Sequence, residues 1–127
     1  MTSSLVTPTL VALAVLIGTV GQFLLKAGMA RTGRVESVAQ AVSPTYLLNA
    51  FSHWQVPIAI VFYALGAILW MAVLSRERVS YAYPFLGLTY ILVMLGGVLL
   101  FGETPRPMGV AGTMLIALGV VMVARAG

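Results

Sequence analysis

The chain has 127 residues, 61% of them hydrophobic and 8% charged, with a mean hydropathy of +1.05. A water-soluble domain of this length needs more polar surface, and the apolar residues come in long runs rather than in alternation, which excludes soluble globular folds and β-barrels alike. The net charge of +4 sits near the ends of those runs, where anionic phospholipids rather than nucleic acid are the expected partner, and the absence of cysteine excludes disulfides, thiol chemistry and Cys-ligated metal.

The expected fold class is an all-α integral membrane protein with four transmembrane helices. About four spans of roughly 20 residues fit the length. They are read at approximately 8–29, 56–74, 81–101 and 108–124, with an interfacial polar segment at 30–55. Residues 1–127 then make a single membrane domain, too small for a membrane unit plus a catalytic one, so no enzyme activity is expected. The opening MTSSLVTP lacks a basic region and the apolar run after it is too long for a signal peptide, so it reads as a retained helix.

In the first span, Pro8 suits a first-turn position. The span is apolar except for Gln22 and Lys26, which lie four apart. Ala14 and Gly18 extend the same line, giving a stripe that is small at one end and polar at the other. Such a stripe packs against a neighbouring helix, its lysine reaching the interface, or it walls a cavity with hydrogen-bonding groups.

The segment 30–55 opens on Gly33 and Arg34 and is divided by Pro44. Val38, Val42, Leu47, Leu48, Phe51 and Trp54 are positioned to line one side of short interfacial helices. His53 is the sole histidine and has neither a triad partner nor metal-ligand spacing, so it is placed in the headgroup zone beside Trp54. In the second span Tyr63, Gly66, Ala67 and Trp70 share a face, which serves packing or a site. The short turn Arg76-Glu77-Arg78 forces the second and third spans to run antiparallel.

The third span carries the most chemistry. It opens on Tyr81-Ala82-Tyr83-Pro84 and closes on the isolated acid Glu103. Tyr83, Gly87, Tyr90, Met94 and Gly97 are read on one face, offering two phenols and room for close backbone approach. Proline near the start of a helix leaves few orphaned backbone groups, whereas one turn further in it frees a carbonyl and bends the helix. Glu103 with Arg106 forms either a solvated ion pair or a carboxylate facing an aqueous vestibule. The fourth span has Gly112 and Gly119 seven apart and a small-xxx-small series at Gly109, Thr113 and Ala117, so it is read as an oligomerisation helix of a dimer.

An even number of spans puts Arg76, Arg78 and Arg125 on one side of the membrane and Arg31, Arg34 and Arg106, with Lys26, on the other. That balance gives no orientation bias, and the two orientations can pair as an antiparallel dimer.

These residues together resemble the drug/metabolite transporter superfamily in its small four-helix branch. Leu25-Lys26, Ala82-Tyr83 and the string Gly112-Thr113-Met114-Leu115-Ile116-Ala117-Leu118-Gly119-Val120 are similar to the small multidrug resistance exporters. Gly21-Gln22 followed by Lys26, then Ala82-Tyr83-Pro84, then Glu103, resemble the paired subunits of the aminoarabinose–phosphoundecaprenol flippase (EamA-like). The likeness covers all four spans and fails over Ala30 to Gln55. The exporters' intramembrane glutamate aligns with Gly18 and their third-span tryptophan with Leu86, and no acid lies inside any expected span. The flippase subunits do not need that acid.

The flippase resemblance implies a multi-pass protein of the bacterial inner membrane that moves a polyprenyl-phosphate-linked sugar between leaflets, with undecaprenyl phosphate as carrier and lipopolysaccharide modification as its setting. It implies a homodimer, or a heterodimer with a related small subunit, meeting through Gly112 and Gly119. Under that resemblance Lys26 attracts the phosphate, Gln22, Tyr83 and Tyr90 hydrogen-bond phosphate or sugar hydroxyls, and Glu103 meets a sugar amine. Pro84, Gly87, Gly96 and Gly97 let the third span bend between access states. No cofactor or metal is expected. There is no phosphate-binding glycine loop and no acid inside any expected span to couple protons, so transport is downhill or coupled through a partner. Two alternatives remain: an exporter of cationic compounds, or a non-transporting partner of a membrane glycosyltransferase or transporter.

Overall fold

The computed structural model describes residues 2–127, with side chains from Ser4 onward. It is all-helical. Helix α1 spans Thr2–Thr32, α2 Val38–Ala41, α3 Pro44–Ser52 and α4 Gln55–Arg76. A short α5, Val79–Ala82, leads through a 3-10 turn at Tyr83–Leu86 into α6, Gly87–Phe101, and α7 spans Pro107–Ala126. Among the described residues four helical stretches are long and apolar enough to cross a bilayer: Ser4–Thr32, Gln55–Arg76, Val79–Phe101 and Pro107–Ala126.

One local expectation needs correcting. Pro8 lies inside α1, because the helix begins six residues before it. A proline there removes one N–H from the ladder, and the preceding turn is reinforced where Thr9 Oγ1 donates to the Leu5 carbonyl at 2.6 Å. The third span is irregular at Pro84, where the sequence pointed to a break. Pro84 sits at the start of the 3-10 turn, which winds three residues per turn and shifts the side-chain register of everything after it.

The packing is organised around α1. It lies along α4 and touches α6, while α7 packs on α6 and on the 3-10 turn. Two glycines let α4 approach α1: a Cβ on Gly21 would stand 3.3 Å from Phe62 Cβ, and one on Gly28 would stand 2.6 Å from Val56 Cγ2. On the α6 side, a Cβ on Gly96 would overlap the ring of Phe23. A small core of Val11, Val15, Val73 and Ala82 closes one end, covered by Leu10, Trp70, Leu74, Phe85, Leu88 and Leu92. At that end Arg76 Nε donates to Thr7 Oγ1 at 3.1 Å.

Most large apolar side chains point outward, with Leu99 81% exposed and Met108 86% exposed. In water this surface would drive aggregation. In a bilayer it faces hydrocarbon, which is as apolar as the side chains themselves, and the helices satisfy their own backbone groups. Helix α6 ends on Gly102, whose φ of +65° is left-handed. Its N–H and that of Glu103 both reach the Gly97 carbonyl, the latter at 3.0 Å, so the last turn is capped before the loop to α7.

Candidate functional site

Three spans converge on one lateral groove of about 440 Å³. Helix α1 supplies Ala14, Gly18 and Gln22, and α4 supplies Tyr63, Gly66, Ala67 and Trp70. The third span supplies Tyr83, Leu86, Thr89 and Tyr90. The α1 stripe thus faces the aromatic face of α4 rather than closing on it. Tyr63, Tyr83 and Tyr90 bring phenols, Gln22 an amide and Trp70 an indole. Small residues on the α1 and α4 walls keep the space open, since a Cβ on Gly18 would meet nothing within 4 Å. Trp70 and Tyr83 meet edge to face, centroids 5.8 Å apart at 75°, which fixes one wall.

By helix rise the groove runs ~12 Å along α1 from Ala14 to Gln22, and Lys26 lies ~6 Å further on. Lys26 is exposed and does not line the groove; it stands one turn beyond it on the same stripe. Glu103 is apart as well. With Arg106, Gly109 and Thr113 it lines a second cleft of about 380 Å³, which also takes in Tyr90, Met94 and Val98. Tyr90 therefore belongs to both spaces and joins them. The Glu103 carboxylate folds back over Gly97, where a Cβ would stand 2.5 Å from Oε2.

Gly87 departs from the expected face. A Cβ there would stand 2.7 Å from Ile116 Cγ2, so this glycine seats α7 against α6 and is turned away from the groove. The 3-10 turn explains the change, because α6 no longer follows the phase set by Tyr83. The fourth span, read as an oligomerisation helix, also walls a cleft, since Gly109 and Thr113 border the one that holds Glu103. A Cβ on Gly112 or on Gly119 would meet nothing within 4 Å, so that side of α7 lies open. A further cleft of about 510 Å³ lies among Thr7, Arg76, Tyr81 and Phe85, and none of the sequence-derived site residues borders it.

Sequence reasoning missed Thr89 in the groove and the Gly21–Gly28 seam on α1. The seam had a signal, two glycines seven residues apart. Thr89 had none, because its position depends on the register shift at Pro84.

Four helices long and apolar enough to cross a bilayer, with amide, phenol and indole groups gathered along a side groove, define the class as a small multi-pass membrane protein. Sequence comparison narrows the class. The chain is 33% identical over 119 residues to the probable 4-amino-4-deoxy-L-arabinose-phosphoundecaprenol flippase subunit ArnF of Serratia proteamaculans, covering 88% of this chain and 87% of that protein. It is 32% identical over 117 residues to the ArnF subunit so described from Erwinia tasmaniensis, covering 87% of each. A match to the probable ArnE subunit of Pseudomonas savastanoi pv. phaseolicola is 40% identical over 68 residues, and spans 54% of this chain and 60% of that relative's length. The chain belongs to the family of these flippase subunits. No protein-family model and no solved structure matches it.

Proposed function

We propose that the chain is a subunit of an inner-membrane flippase for a polyprenyl-phosphate-linked amino sugar, of the kind named for its relatives ArnE and ArnF. The observation that carries this reading is the groove. Three spans aim Gln22, Tyr63, Trp70, Tyr83 and Tyr90 into one laterally open space, in a chain of that family. Only the headgroup of such a lipid needs a polar path, because its hydrocarbon tail stays in the bilayer. An amide or hydroxyl in hydrocarbon costs several kcal/mol without a partner. A groove of phenols and an amide lowers that cost for phosphate and sugar hydroxyls in transit.

In this scheme Lys26, one turn past the groove, draws the phosphate. Gln22, Tyr83 and Tyr90 bond the headgroup inside the groove. Glu103, in the cleft that Tyr90 joins to the groove and at the same end of the bundle as Lys26, meets the sugar amine at the face where Lys26 meets the phosphate. The 3-10 turn at Pro84, with the buried Gly96 and Gly97 beyond it, is the place where the third span bends between access states. Gly87 acts as the seat of α7 during that motion. The relatives' subunit names support a heteromer with a related small chain, and the open Gly112 and Gly119 side of α7 is the surface on which it, or a second copy, would pack.

The test uses the amine. In cells lacking their own flippase subunits, expression of this chain with a related subunit should restore labelling of the glycolipid by an amine-reactive reagent that cannot cross the inner membrane. Total glycolipid should stay constant. Unchanged labelling with both chains inserted would refute the proposal, and resistance to cationic compounds appearing in its place would point to export.

A further inference from the structure

Helix α3 has its amphipathicity reversed relative to a helix of a soluble protein. Its polar face turns toward the body of the molecule. Tyr46 Oη donates to the Gly33 carbonyl at 3.1 Å, and Asn49 Nδ2 to the Thr32 carbonyl at 3.5 Å. His53 Nδ1 lies 3.3 Å from Thr32 Oγ1, and Ser43 caps the helix start by accepting from Tyr46 N–H. Its outer face is apolar: Leu47, Leu48 and Phe51 are 42, 74 and 49% exposed, and Trp54, two residues past its end, is 61% exposed. At positions i, i+1 and i+4, Leu47, Leu48 and Phe51 form one stripe.

A second apolar stripe begins two residues after α3 ends. Trp54 has helical backbone angles (φ −57°, ψ −28°), and Ile58 N–H donates to its carbonyl at 3.3 Å. The register of α4 therefore already holds at Trp54. Trp54, Ile58, Val61, Leu65 and Ile68 follow one another along a single side of α4, and all are exposed. That side belongs to a helix long and apolar enough to span the bilayer, so it faces lipid. His53, extended at φ −84° and ψ 123°, separates it from the apolar stripe of α3, which directly precedes it in the chain. Arg31 and Arg34, both exposed, stand at the adjoining end of α1.

We propose that α3 is an interfacial anchor, lying in the boundary between headgroups and acyl chains. Leu47, Leu48, Phe51 and Trp54 enter the acyl side, and Arg31 and Arg34 meet lipid phosphates. Tryptophan and basic residues favour that depth. The polar contacts of α3 to Thr32 and Gly33 then fix the height of α1 in the membrane, and with it the depth of Lys26. This inference does not depend on what the groove carries.

The test uses the full chain in vesicles of phosphatidylcholine and phosphatidylglycerol. Trp70→Phe leaves Trp54 as the only indole. Lipids brominated near the carbonyl should quench Trp54 at least threefold more than lipids brominated near the bilayer centre, and aqueous iodide should quench it weakly. Strong iodide quenching without bromine quenching would overturn the proposal. So would protection from both, which would mean that a second copy or another protein covers the stripe. A second measurement keeps Trp70 intact. The chain has no cysteine, so Leu48→Cys and Thr45→Cys each take a single nitroxide. The label at 48 should collide preferentially with oxygen and the label at 45 with a water-soluble nickel chelate. Equal accessibility of the two would sink the proposal.

Discussion

Gly96→Ala tests the packing on which the groove depends. A Cβ at this position overlaps the ring of Phe23, so α6 and α1 cannot keep their separation unless the ring moves. Gly112→Ala is the matched control, because its Cβ would meet nothing within 4 Å. Both positions are helical, so the gain in helix propensity, about 1 kcal/mol, is common to the two and cancels in the comparison. What remains is the overpacking cost at Gly96, about 1–3 kcal/mol. The two variants should therefore differ by that amount in reversible unfolding in mixed micelles, followed by circular dichroism. Phe23→Ala should relieve the clash, giving a coupling of about 1–3 kcal/mol in the double-mutant cycle. Equal stabilities for the two alanine variants, or a cycle with no coupling, would refute the close α1–α6 contact and with it the placement of the third span beside Gln22.

Three further outcomes follow from the same geometry. Gly18→Leu projects into open groove, so it should leave stability within about 0.5 kcal/mol while lowering glycolipid flipping; tight packing at this position would instead appear as a loss of stability. Tyr83→Phe and Tyr90→Phe each remove a hydroxyl worth about 1 kcal/mol to a bound headgroup, roughly fivefold in flipping rate, and Lys26→Ala should cost about 10- to 100-fold as the loss of a charged contact. Gly102→Val places a branched residue at a left-handed position, so it should destabilise the chain by about 1–2 kcal/mol in the same unfolding assay, whereas Gly109→Val, at a glycine without positive φ, should cost less.

The four long helices were legible because their apolar runs have no counterpart in a soluble chain of this size. The groove was partly legible. The stripe Ala14, Gly18, Gln22 and the face Tyr63, Gly66, Ala67, Trp70 follow from helical spacing alone, since both helices are regular there. That the two face one another across open space depends on where Gly21 and Gly28 let α4 sit, which no single-helix period reveals. On the third span the reading failed at Gly87, because a four-residue 3-10 turn rotates α6 relative to Tyr83. Pro84 signalled an irregularity but not its sign or size. The segment 30–55 yielded its apolar residues to inspection. The contacts of Tyr46, Asn49 and His53 to the end of α1 lay beyond reach, being tertiary and polar.

The most direct test of the central claim is flipping of a spin-labelled polyprenyl-phosphate amino sugar in liposomes that contain this chain with a related subunit. The account predicts that protein makes inner-leaflet lipid accessible from outside without a pH gradient, and that Gly18→Leu and Lys26→Ala slow this while inserting normally. Flipping that is absent with both subunits present, or equally fast in the Gly18→Leu and Lys26→Ala variants, would contradict it.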